Sequence, residues 1–88
     1  MRKFCEEVLK FLELEYKDSY RFKIEHRVAR APIYYIVELF IEINPSYKRI
    51  ITNDTMQYLY GWYRTGEFIE ERNQYAWQKM LIDFIEGS

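Results

Sequence analysis

At 88 residues the chain has room for one domain with one core, and about a third or more of the surface of its unfolded form stays exposed after folding, which argues against a lidded cofactor cleft. Hydrophobic residues at 49% and charged residues at 31% give a globular balance, and thirteen bases against fourteen acids leave a net charge of −1, which excludes coating of nucleic acid by a global field. A single cysteine, Cys5, excludes an internal disulfide and a multi-cysteine metal knuckle, so the cytoplasm is the expected compartment and no cofactor is implied.

From Arg2 to about Lys17, Cys5, Val8, Leu9, Leu12 and Tyr16 fall at helical spacing, with Phe4 and Phe11 widening the stripe. Glu6, Glu7, Glu13 and Glu15 interrupt this stretch, so it is no secretory h-region, and the longest apolar runs are too short to span a bilayer. Asp18 and Ser19 end the helix, and the period changes to two.

Tyr20, Phe22, Ile24, His26 and Val28 alternate with Arg21, Lys23, Glu25 and Arg27, the pattern of a strand with one buried face. Ala29 to Pro32 turns the chain, with Pro32 pushing Ala31 toward extended geometry, and a second strand runs from Ile33 to Ile43. Asn44-Pro45-Ser46-Tyr47 reads as a tight turn before a third strand from Lys48 to Thr52. These make an antiparallel meander with the long strand in the middle.

Asn53 or Asp54 is placed to cap a helix from Thr55 to about Thr65, and Gly66 to stop it. A third helix is expected from Glu67 to about Glu86, with Glu67, Glu70 and Glu71 in its first turns and Ala76, Trp77, Met80, Leu81, Phe84 and Ile85 on its apolar face. The fold class is therefore α+β: a helix, a three-stranded antiparallel meander, and two C-terminal helices packed on one sheet face.

Taking Pro45-Ser46 as the second loop sets Ile43 against Lys48, Glu42 against Arg49, Ile41 against Ile50 and Phe40 against Ile51. A four-residue first loop sets Arg27 against Tyr34, Glu25 against Ile36, Lys23 against Glu38 and Arg21 against Phe40. Phe22, Ile24, Tyr35, Val37, Leu39, Ile41 and Ile50 then take the helices. The outer face is left with Arg21, Lys23, Arg27, Tyr34, Ile36, Phe40, Arg49 and Ile51.

Nine Tyr, six Phe and two Trp exceed what a core of this size absorbs, because phenolic hydroxyls need partners or water. Two candidate partner-binding surfaces emerge. One is the outer sheet face with Arg21, Arg27, Tyr34, Phe40 and Arg49; the other is the second helix with Tyr58, Trp62 and Arg64, where Gly61 suggests close packing or a kink. The plain alternatives are a solvated sheet face and aromatics covered by the third helix.

His26, the only histidine, is expected buried and hydrogen-bonded on the inner face, and Cys5 is expected as a core hydrophobe. Glu67, Glu70 and Glu71 suit helix capping better than a cation site. Phosphate loops, nucleophile elbows and paired-acid motifs are absent, so no catalytic residue is assigned and enzymatic activity is not expected.

The order helix, three strands, helix resembles double-stranded-RNA-binding domains, but Asn53 and Asp54 stand where those carry a basic cluster before the last helix. The full order with two closing helices resembles small phage-borne anti-CRISPR proteins, especially Cas9 inhibitors. That resemblance rests on element order alone and carries over no residue. It implies a cytoplasmic, non-enzymatic inhibitor acting on a host nuclease or other host protein. The residues leave open a small nucleic-acid-binding module using the basic and aromatic sheet face, and self-association through that face or the strand edges.

Overall fold

A computed structural model describes residues 1–30 and 32–87. The element order is α1 (Arg2–Tyr16), β1 (Phe22–Arg30), β2 (Ile33–Ile43), β3 (Ser46–Ile51), α2 (Asn53–Thr65), a small hairpin of β4 (Phe68–Ile69) and β5 (Gln74–Tyr75) around a 3-10 turn at Glu70–Arg72, and α3 (Ala76–Glu86). The main sheet runs β1-β2-β3, antiparallel throughout, and the architecture is the α+β arrangement expected.

The helices form because each carries one apolar stripe that the sheet and its neighbours bury. Phe4, Cys5, Val8 and Leu12 of α1, Met56 and Leu59 of α2, and Trp77 and Leu81 of α3 close over Val37, Leu39 and Ile51. Trp77 joins the helices of this layer: its ring meets those of Phe4, Phe11 and Tyr63 edge-on at 5.9, 5.8 and 5.7 Å, the geometry that aromatic quadrupoles favour. Helix α2 stops at Gly66, whose φ of 69° is the left-handed conformation a glycine adopts without a Cβ penalty.

Several local expectations change. Arg30 pairs with Ile33, so the first connection is two residues shorter than expected, and Ala31 itself lies outside the described residues. The shorter connection adds a ladder pair and costs less closure entropy. Faces are preserved because the shift is even, but partners are not: Lys23 faces Phe40, Glu25 faces Glu38 and Arg27 faces Ile36.

In the second hairpin Ile43 faces Ser46, so Asn44-Pro45 is the loop in place of Pro45-Ser46. Phe40 then pairs with Arg49 while Leu39 pairs with Ile51, which leaves Ile50 as a bulge. The extra residue reverses the parity of the strand beyond it. Ile51, expected on the outer face, is therefore buried in the core at 2% exposure.

The third helix starts nine residues later than expected, at Ala76 and not Glu67. Phe68 and Tyr75 pair across the small hairpin, with rings 5.1 Å apart edge-on, so the aromatic pair and the turn between them displace the helical first turns. Glu70 and Glu71 consequently open a 3-10 turn, and Glu67 precedes it; none lies in α3. Phe84, expected on the apolar face of α3, is exposed.

Candidate interaction surface

The helices pack on one face of the sheet, and the other face carries alternate residues of β1, β2 and β3. Its centre is Glu38, on the middle strand, with a side chain only 11% exposed. Glu25 stands directly opposite it, an arrangement of like charges that needs compensation. Arg49 supplies it at 2.7 Å and Arg27 at 3.6 Å from the Glu38 carboxylate, while Lys23 sits 3.5 Å from Glu25. Arg21 pairs with Glu42 at 3.8 Å rather than lying over Phe40. The cation over the aromatics is Lys23, 5.3 Å from the Phe40 ring centre and 4.4 Å from that of Tyr47.

Arg21, Arg27, Phe40 and Arg49 thus share one surface, with Phe40 half-buried, while Tyr34 is exposed at the hairpin end, where it also lines the cleft beside His26. Helix α2 packs against β2 on the opposite face, so Tyr58, Trp62 and Arg64 form a separate surface. Tyr58 is exposed, Trp62 packs against the core, and Arg64 lies 5.8 Å over the Tyr60 ring. Tyr58, Gly61, Trp62 and Thr65 line a shallow dent of about 290 Å3. A Cβ at Gly61 would meet nothing within 4 Å, so neither close packing at that position nor a steric demand explains the glycine.

The projecting end of the β1–β2 hairpin went unforeseen. β2 has eleven residues and β3 only six, and pairing between them ends at Leu39, so Ile33 to Glu38 pair with β1 alone and have no strand on the β3 side. Val28, Ile33, Tyr34 and Tyr35 are all exposed there, Ile33 at 77%. The mismatch in strand length was the signal available in the sequence, because an inner-facing residue is covered only where a helix reaches it.

His26 belongs to this overhang. It is exposed, not buried as expected, and lies 5.4 Å from the Tyr35 ring at the wall of an open cleft of about 690 Å3 between the hairpin and the starts of α1 and α2. Tyr34, Tyr35, Asn53, Gln57 and Tyr60 also line that cleft. Cys5 is buried in the core, where desolvation pushes its thiol pKa up and away from the reactive thiolate. Among the described residues no three His, Cys, Asp or Glu side chains converge as a metal site, Glu67, Glu70 and Glu71 included. No helix is long and apolar enough to cross a membrane, again among the described residues.

Two buried-side tyrosines serve the fold. Tyr16 donates to Glu86 at 2.9 Å, and burial together with that carboxylate raises its pKa to about 12. Tyr63 donates to Glu7, and that bond together with burial raises its pKa to about 12. No family model matches the chain, and neither curated proteins nor solved structures give a match.

Proposed function

We propose that this protein is a non-catalytic protein-interaction module whose docking surface is the helix-free sheet face and the hairpin end continuous with it. The observation that carries this reading is the ion pairing on that face: Arg21, Lys23, Arg27 and Arg49 are each matched by Glu42, Glu25 or Glu38. A surface built to neutralise phosphates keeps its bases free, because affinity for a polyanion comes from counterion release by unpaired cations. Here three glutamates engage all four bases and offset most of their charge, and the apolar groups left for a partner are Tyr34, Phe40, Tyr47 and the exposed aliphatics of the hairpin end.

Within this reading, the resemblance in element order makes an inhibitor of a host nuclease, carried by a phage or other mobile element and acting in the cytoplasm, the specific version to test first. The single buried thiol is at home in a reducing compartment.

Two measurements test the proposal together. Electrophoretic shift assays against single- and double-stranded oligonucleotides at low salt are expected to show no complex. Affinity capture from the natural host with the wild type and with an Arg27, Tyr34, Phe40 triple-alanine variant is expected to lose specific partners in the variant. Oligonucleotide binding with a steep salt dependence, or identical captures, would overturn the reading.

A further inference from the structure

We propose that the free edge of β1 pairs antiparallel with the same edge of a second copy of this chain, across a two-fold axis at His26, to join two sheets into one of six strands. β1 is an edge strand of nine residues, Phe22 to Arg30, with no proline, no glycine and no bulge in its pairing with β2. Long, regular edges of this kind are templates for strand addition; proteins that stay monomeric break them with bulges, prolines or charged side chains, and of these β1 carries only charges, Lys23, Glu25, Arg27 and Arg30.

The hydrogen-bond directions fix which residues offer groups to a partner. Glu42 N–H donates to Arg21 O across the β1–β2 pair at 2.8 Å, so Arg21 and every second residue after it bond toward β2. Val37 N–H points the other way, to the Asn53 side chain at 2.8 Å, and Val37 stands opposite His26. The backbone groups of Phe22, Ile24, His26, Val28 and Arg30 therefore face the free edge.

Side-chain chemistry then selects one register. Centred on His26, Glu25 of each copy faces Arg27 of the other, and Ile24 faces Val28, so the half-exposed Val28 gains an apolar neighbour. Centring on Glu25 sets that carboxylate against itself and Lys23 against Arg27. Centring on Arg27 sets that guanidinium against itself and Ile24 against Arg30; centring on Ile24 sets Lys23 against Glu25 but also Arg21 against Arg27, and pairs only Phe22 to His26 of the strand. Registers of the other parity set the outward backbone groups of one copy against residues of its mate that already bond to β2, so they form no ladder. The charge pattern of β1 is thus complementary to itself in one antiparallel alignment that uses the whole strand.

Sedimentation equilibrium of the full chain over a wide concentration range tests this. The wild type is expected to show a monomer–dimer equilibrium. Glu25→Arg alone and Arg27→Glu alone are each expected to weaken it roughly tenfold by placing like charges opposite. The double exchange Glu25→Arg/Arg27→Glu is expected to restore it. His26→Pro, which breaks no hydrogen bond to β2 because the N–H it removes points outward, is expected to abolish dimers with the far-ultraviolet circular dichroism unchanged; if that variant unfolds, the charge exchange alone decides. A wild type that stays monomeric at every concentration, or a dimer indifferent to the single and double exchanges, would overturn the proposal. Neither result bears on whether the helix-free face binds a host protein.

Discussion

The Asn53 side-chain carbonyl accepts the Val37 backbone N–H at 2.8 Å, and this one bond explains how the central strand survives the early end of β3. Past Leu39 the edge of β2 has no strand to pair with, and Val37 is fully buried, so its N–H needs a partner from elsewhere. Helix α2 begins where β3 stops and presents Asn53 and, one turn on, Gln57, whose Nε2 donates to Tyr35 O at 3.1 Å and to Asn53 Oδ1 at 3.3 Å. The helix start thus takes the place of two further residues of β3. Asn53→Ala is expected to cost about 1–2 kcal/mol in urea denaturation, the penalty for an orphaned buried donor, while Asn53→Asp, which keeps an acceptor, costs less. Gln57→Ala is expected to cost less than Asn53→Ala because the Tyr35 carbonyl it frees is reached by water.

Glu38 sets the charge of the helix-free face. Breaking a buried ion pair strands the surviving partner, but Arg27 and Arg49 keep side-chain exposures of 61% and 53% and return to water readily. Glu38→Gln is therefore expected to cost only about 1 kcal/mol. Its larger effect is on recognition: with one of three glutamates neutralised, two guanidinium groups become available for phosphates. The variant is expected to gain weak oligonucleotide binding that falls with salt at a log–log slope near −0.7 to −0.9 per phosphate contact, where the wild type shows none. An unchanged electrophoretic pattern would mean that Glu38 does not keep Arg27 and Arg49 from phosphates.

The change of period near Ser19 made the meander legible, because alternation in Phe22, Ile24, Val37 and Leu39 reports burial directly. Parity survived a wrong loop length in the first hairpin, since an even shift keeps every side chain on its face. It failed at Ile51, because a bulge at Ile50 leaves no mark in a pattern of consecutive isoleucines. The start of α3 failed for a related reason: Glu67, Glu70 and Glu71 satisfy the dipole rule for a helix start, yet the Phe68–Tyr75 pairing that wins is a contact across the chain. His26 shows the limit of face assignment. Periodicity tells which side of a sheet a residue takes, and only the reach of the helices tells whether that side is covered.

The hydrogen bonds of Tyr16 and Tyr63 give the fold an alkaline limit. Both phenols have pKa values raised from 10.0 to about 12 in the folded protein, so the unfolded chain ionises first. Their contribution to stability is full below pH 10 and lost as pH rises from there through about 12. Melting temperature is expected to fall across that window. The Tyr16→Phe/Tyr63→Phe double variant is expected to lose the part of that slope due to these two groups and to be less stable at neutral pH by about 1 kcal/mol per bond removed. A slope identical in wild type and double variant would show that the carboxylates of Glu86 and Glu7 do not hold these protons.

Gly61 separates stability from binding at the second candidate surface. It lies inside α2, where glycine costs about 1 kcal/mol against alanine, and a Cβ there meets open space. Gly61→Ala is therefore expected to stabilise the protein by about 0.5–1 kcal/mol, partly by restricting the unfolded chain. Gly66→Ala provides the opposite control, since its φ of 69° strains any residue with a Cβ, and is expected to destabilise by about 1 kcal/mol. The added methyl of Gly61→Ala projects into the dent between Tyr58 and Trp62. If a partner seats an apolar side chain in that dent, the variant unfolds at higher denaturant and yet binds more weakly, and these opposed changes distinguish docking at α2 from docking at the sheet, where Gly61→Ala leaves affinity unchanged.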